Sequence, residues 1–189
     1  MEVHLTKLAL TRNARRLTLD SQAMHRTIAY AAGERTLWAL PSPHQLIVQS
    51  GHPIDTAKLD GLVAEHHTNA RRTRHAIGVR LHLALIANPT RQEFTHDTRG
   101  KRHPIPADDI PDWVTRKLGD AVNLHTIDVT PLGGRHGRRH SDRVTHHLAA
   151  IHATGTVTNP DLLENLIITG VGRAKAYGAG LLLTREIPA

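Results

Sequence analysis

The 189 residues contain no cysteine, which excludes disulfides, thiolate metal sites and thiol catalysis. Aromatic residues make up only 3% of the chain, so a surface built on stacked rings has few members to draw on. Leu, Ile, Val and Ala must therefore fill the core, and a hydrophobic content of 39% suffices for one large domain or two small ones. No apolar run reaches the roughly 18 residues that span a bilayer, and the N-terminus lacks a hydrophobic signal region. The cytoplasm is the expected location, with no membrane partner. No His-Glu-x-x-His occurs; the adjacent pairs His66-His67 and His146-His147 diverge on a strand or a helix, and the acidic run 108–112 reads as a helix start. We expect no metal and no other cofactor. No serine sits in a nucleophile elbow, so acyl transfer has no support.

Positive charge is what the chain has in excess. Lys and Arg number 24 against 17 Asp and Glu, a formal charge of +7, and 16 histidines add more as pH falls. A folded domain this basic suits a polyanion, because neutralising phosphates releases counterions. Arg greatly outnumbers Lys. Guanidinium forks pair with two phosphate oxygens or a guanine edge, whereas an ammonium acts as a point charge.

Hydrophobic periodicity supplies the elements. Residues 3–10 alternate as a strand, and 11–18 form a basic connection containing Arg12, Arg15 and Arg16. Asp20 or Ser21 caps a helix whose Met24, Ile28 and Ala31 face a core, with Gly33 ending it. Residues 36–40 and 45–49 read as strands around Pro41-Ser42-Pro43, 55–65 as a short helix and 76–86 as a strongly alternating strand. That is the βαββαβ order of a ferredoxin-like unit. Asn88-Pro89-Thr90 marks a junction, and 91–106 is polar and loop-like. Beyond it follow a helix over 110–118, a strand over 122–130, a Gly, Arg and His-rich loop over 133–143 and a long strand over 144–157. A Pro-initiated helix runs to about residue 168, and a strand over 181–185 ends the chain. The fold class is α+β, with two tandem ferredoxin-like domains over 1–88 and 89–189.

Three places carry candidate chemistry. Helical spacing sets His25 beside the buried stripe of Met24 and Ile28, available to a cleft, with Arg26 next to it. The stretch 170–180 holds Gly170, Gly172, Gly178 and Gly180, with Arg173 and Lys175 between them. Its amides can form an anion-binding concavity, or the glycines can serve only the geometry of a bend. It fits neither a phosphate-binding loop ending in Gly-Lys-Ser or Thr nor a dinucleotide fingerprint. The basic residues Lys101 and Arg102, with Arg135, Arg138 and Arg139, can track an RNA backbone or form solvated loops.

Taken in order, these motifs resemble the CasE family of CRISPR repeat-processing endoribonucleases, RAMP proteins of the Cse type. The Asp-x-x-x-Met-His-Arg-Thr helix, Thr36-Leu37-Trp38 and Leu46-Ile47-Val48-Gln49-Ser50 are similar to the family's first half. Ala87-Asn88-Pro89-Thr90 with Gly100-Lys101-Arg102 resembles its centre, and residues 154–160 and 170–183 resemble its C-terminal segment. The resemblance implies a tandem ferredoxin-like fold and metal-independent cleavage of the repeat RNA at the 3′ base of its stem-loop. The products are a 2′,3′-cyclic phosphate and a 5′-hydroxyl. It also implies retention as a subunit of the type I-E surveillance complex alongside that complex's other subunits; the isolated chain is expected to be a monomer. The family's catalytic histidine falls on His25, its phosphate-contacting loop on 170–180 and its groove-entering basic hairpin on 135–143. Where the family commonly has a tyrosine, three positions before the histidine, this chain has Gln22. Gln22 can donate a hydrogen bond to a phosphate oxygen but cannot shuttle a proton at neutral pH. Tyr30 or Lys175 are candidates for that role. The alternative is a subunit that holds the RNA hairpin without cutting it.

Overall fold

A computed structural model describes residues 2–34, 36–93, 100, 102–139 and 142–188, and of the described residues between 135 and 144 only the backbone. The first sheet joins β1 (Glu2–Leu10), β2 (Leu37–Ser42), β3 (Gln45–Ser50) and β4 (Val63–Arg72) in the order β2-β3-β1-β4. All three neighbouring pairs are antiparallel. That is the ferredoxin-like order, first strand beside third and the fourth on the outer side. Pro41 lies on the edge strand β2, where its missing N–H removes no ladder bond.

A short helix α1 (Arg15–Leu19) leads into α2 (Ser21–Ala32), which crosses from β1 to β2. Asp20 caps α2, its carboxylate accepting from the amides of Gln22 at 3.0 Å and Ala23 at 3.1 Å. Gly33 ends the helix with φ +70, a conformation that would strain a residue with a Cβ. Met24, Ile28 and Ala31 are buried with Trp38, Leu8, Leu46 and Val48 between α2 and the sheet. Full burial of a residue such as Ile28 contributes about 1.5–3 kcal/mol.

The second sheet joins β5 (Arg80–Ala87), β8 (Val122–Arg139), β9 (Asp142–Val157) and β10 (Leu182–Glu186) in the order β10-β5-β9-β8, the same topology again. A small hairpin of β6 (Thr90–Gln92) and β7 (Arg102–Pro104) precedes α3 (Ile110–Leu118), and α4 (Pro160–Thr169) crosses to β10. Asn159 caps α4 by accepting from the Leu162 amide at 3.1 Å. Trp113, Val114, Leu163 and Ile167 fill the core against Leu81, Leu83 and Ile151.

Three sequence expectations change. The segment 55–65 is not a helix; it is a four-residue 3-10 turn, Thr56–Leu59, followed by the start of β4. The alternating strand expected to close the first unit is β5, which belongs to the second sheet. A division at residue 88 therefore falls one strand too late, and the chain passes between sheets at 73–79. That connection is strapped down: Thr73 donates to Glu164 at 2.6 Å, and His75 bonds Thr184 at 2.8 Å and Glu186 at 2.9 Å. Finally, most of the expected loop over 133–143 is strand, because β8 and β9 stay paired from Val122–Val157 out to Arg139–Asp142.

The back of the first sheet meets the second unit. Leu37, Ala39 and Ile47 bury against Ile86, Leu148, Ala179 and Leu181. The Gln49 side chain adds a bond to the Ile167 carbonyl at 2.8 Å.

Candidate active site

His25 lies on α2, the helix whose buried stripe is set by Met24 and Ile28. Besides covering its own sheet, α2 runs against the turn Lys175–Tyr177 and against β8, both from the second unit. The imidazole is thus half-buried at a junction of the two units. Its Nδ1 is buried and makes no hydrogen bond among the described residues, which leaves Nε2 as the nitrogen open to a ligand. Burial disfavours the imidazolium and lowers the His25 pKa below its ordinary 6.5. At neutral pH the ring is uncharged, the form that accepts a proton. Gln22 is half-buried one turn before it on the same side, and Arg26 is exposed beside it.

The glycines of 170–180 serve packing first. A Cβ on Gly170 would stand 2.9 Å from both the Gly180 carbonyl oxygen and a Leu37 methyl, and one on Gly180 would stand 2.7 Å from the Val171 carbonyl oxygen. Gly172 packs on Trp113, where a Cβ would sit 3.2 Å from the indole. Their backbones close the loop, Val171 N–H donating to Gly180 at 2.8 Å and Gly180 N–H to Ile86 at 2.7 Å. The bend reading of these glycines accounts for Gly170, Gly172 and Gly180, while Gly178 ends the turn with φ +78. Arg173 is exposed, and Lys175 is half-buried, donating to the Thr169 carbonyl at 2.6 Å.

Arg12 and Arg15 are brought together in a cleft of about 910 Å³ with Leu19, His44 and, from the other unit, Leu132. Leu132 stands at a register shift in β8 between Pro131 and Gly133, where Gly133 has φ +76, so a bulge turns it out of the ladder. Arg16 is exposed nearby on α1. Arg102 is elsewhere, on β7, donating to Gln92 at 3.0 Å across the small hairpin. Lys101 lies outside the described residues, and for Arg135, Arg138 and Arg139 only the strand backbone is described. Tyr30 does not turn toward this site: it is 67% exposed, and its ring lies 5.0 Å from the Lys58 ammonium.

Three linked side chains escaped the sequence reading. The Tyr177 ring packs on the His146 ring at 4.4 Å between centroids, tilted by 37°. The amide of Asn88 bonds His146 Nδ1 at 3.1 Å. The three residues are spread over 90 positions of chain, and nothing in their local sequence joins them. Among the described residues no three His, Asp or Glu side chains stand close enough to hold a metal.

The family model described as CRISPR associated protein matches residues 3–185. This chain belongs to that family. Among curated relatives, the Cascade subunit CasE of Escherichia coli K12 is 29% identical over 151 residues, covering 74% of this chain and 72% of the relative. A structure of the CRISPR endoribonuclease Cse3 bound to a 19-nt RNA is 28% identical with a TM-score of 0.82, over 97% of this chain and 98% of that one. Thermus thermophilus Cse3, bound to an RNA representing a pre-cleavage complex, is 26% identical with a TM-score of 0.83, over 98% and 100% of the two chains. The resemblance to CasE and the tandem ferredoxin-like architecture therefore both stand. No helix among the described residues is long and apolar enough to cross a membrane.

Proposed function

We propose that this chain is an endoribonuclease that binds the CRISPR repeat stem-loop in precursor RNA and cleaves it without a metal. It then stays bound as a subunit of the type I-E surveillance complex and is a monomer when isolated. The observation that carries the reading is the placement of His25. An uncharged imidazole with Nε2 open sits where α2 meets the second unit, in a fold matched end to end by RNA-bound Cse3.

RNA brings its own nucleophile, so the protein need only align the 2′-hydroxyl with the scissile phosphorus and manage two protons. His25 supplies one proton-transfer group, and positioned acid–base catalysis contributes about 10²- to 10⁴-fold. Arg26, exposed next to His25 on α2, stabilises the charge gathering on the phosphorane, and Arg173, exposed on the glycine-rich segment, contacts the RNA backbone. Arg12, Arg15 and Arg16 hold phosphates along the inter-unit cleft, and the β8–β9 hairpin with Arg135, Arg138 and Arg139 enters the groove of the stem. Gln22 donates a hydrogen bond to a phosphate oxygen. The products are a 2′,3′-cyclic phosphate and a 5′-hydroxyl.

Single-turnover cleavage of a repeat hairpin RNA in EDTA tests this. Wild type is expected to cut, and His25→Ala to bind equally well while losing at least about a hundredfold in rate. Cleavage abolished by the chelator, or a product ending in a 3′-hydroxyl, refutes the mechanism. The second reading, a subunit that holds the hairpin without cutting, is favoured by Gln22. It predicts tight binding and no cutting by either protein.

A further inference from the structure

In-line transesterification moves two protons, one off the 2′-hydroxyl and one onto the departing 5′-oxygen, and the reading above gives His25 only one of them. The second donor must stand beside α2 and carry an acidic hydrogen. Gln22 has the place without the chemistry. Tyr30 has the chemistry without the place, since its ring lies against Lys58. Lys175 directs its ammonium at the Thr169 carbonyl, where α4 ends. That leaves Tyr177, half-buried on the turn Lys175–Tyr177 that α2 runs against.

This turn is held with unusual firmness. Ala174 at its start has φ +63, the one non-glycine residue with positive φ among those described. A side chain in that region costs roughly 1–2 kcal/mol, tolerated only where surrounding contacts fix the backbone. Here the Ala174 carbonyl accepts from Tyr177 N–H at 2.8 Å and from Ala179 N–H at 3.3 Å, and Gly178 closes the turn. The ring is held as well, against His146, which Asn88 fixes in turn through Nδ1. If the Asn88 amide donates, the His146 proton is on Nε2, a buried nitrogen with no partner among the described residues. His146 is thus a positioning residue for the phenol, uncharged and packed on its ring at a 37° tilt.

We propose, resting on the cleavage reading above, that Tyr177 is a second catalytic residue, the general acid whose phenol protonates the departing 5′-oxygen while Nε2 of His25 accepts the 2′-hydroxyl proton. The bond from the 2′-oxygen to phosphorus forms as the bond from phosphorus to the 5′-oxygen breaks. A ribose alkoxide is a stronger base than a phenolate, so the transfer from Tyr177 runs downhill. Water returns a proton to the phenolate and removes one from the imidazolium, and the protein is restored.

A bridging sulfur separates this role from a structural one, because a departing thiolate needs no proton. Single-turnover cleavage by wild type and Tyr177→Phe is measured on repeat hairpin RNA with either oxygen or sulfur at the scissile 5′ position. Phenylalanine keeps the ring and its packing on His146. Expected is a loss of about a hundredfold on the oxygen substrate, with hairpin affinity unchanged and near wild-type rate on the sulfur substrate. An undiminished rate on oxygen, or equal slowing on both substrates, overturns the proposal. Failure of wild type to cut either RNA overturns the cleavage reading itself, and this inference with it.

Discussion

The two units share one strand order and differ in their second crossover. In the first unit this crossover is the 3-10 turn Thr56–Leu59, with Leu59 its one buried residue, and β4 beyond it has no buried residue. In the second unit it is the ten-residue helix α4, with Leu163 and Ile167 at 0% exposure. The half that carries His25 therefore has the thinner core. Its sheet gains a second layer on its back face where Ile86, Leu148, Ala179 and Leu181 of the second unit press on Leu37, Ala39 and Ile47. The better-built unit thus serves as scaffold for the other, and the surface that stabilises the first unit is continuous with the one that meets α2.

Truncating each crossover should break this comparison most visibly. Leu163→Ala leaves a cavity beneath a full helix and is expected to cost about 4 kcal/mol, whereas Leu59→Ala sits in a turn that can relax and should cost about 2 kcal/mol. Urea unfolding of both variants measures the difference. Equal losses would mean that the 3-10 turn is as rigid a lid as α4.

The junction gives the next largest effect. Gly170→Ala combines φ +77 with a Cβ 2.9 Å from the Gly180 carbonyl oxygen, while Gly61→Ala meets a similar φ of +72 with nothing within 4 Å. We expect about 2–3 kcal/mol for Gly170→Ala and about 1 kcal/mol for Gly61→Ala. Only the Gly170 change should also slow RNA cleavage, because the turn that meets α2 must shift with its loop. A cleavage rate unaffected by Gly170→Ala would separate the glycine-rich segment from the site.

The same contrast explains what could be read from the sequence. Helix α2 was legible because Asp20, Met24, Ile28 and Gly33 mark its cap, its stripe and its end within one short stretch. Strand β4 was not, since the run Glu65-His66-His67 continues polar and exposed on both parities at a sheet edge, and alternation appears only when one face is buried. The outer part of the β8–β9 hairpin failed for a related reason: its Gly, Arg and His composition signals a loop, while the ladder is made by backbone alone. Assigning β5 to the wrong unit followed from missing β4, because the first βαββαβ count then needed another strand. His25 could be found from its place on α2. Tyr177, His146 and Asn88 could not, because their meeting depends on where three distant segments lie in the folded second unit.

Mild acid should produce the smallest effect and locate it at the junction. His25, on the first unit, and His146, on the second, are both held below the ordinary 6.5, each chiefly by burial and His146 further by neighbouring His147. Above pH 6.5 these rings are neutral in folded and unfolded chains alike, and neither adds pH dependence. As pH falls through 6.5 the unfolded chain binds protons that the folded one resists, so stability declines until the folded rings also titrate. Thermal unfolding at about pH 7.5 and about pH 5.5 reads this, and the double variant His25→Gln, His146→Gln should show a smaller drop than wild type. Cleavage follows the same sign: the base form of His25 persists below pH 6.5, so the acid limb of the rate profile should fall under that value. An acid limb above pH 6.5 would mean that His25 gains, rather than loses, affinity for its proton when RNA is bound, whereas a rate that falls as pH rises through the His25 titration would make it the acid instead of the base.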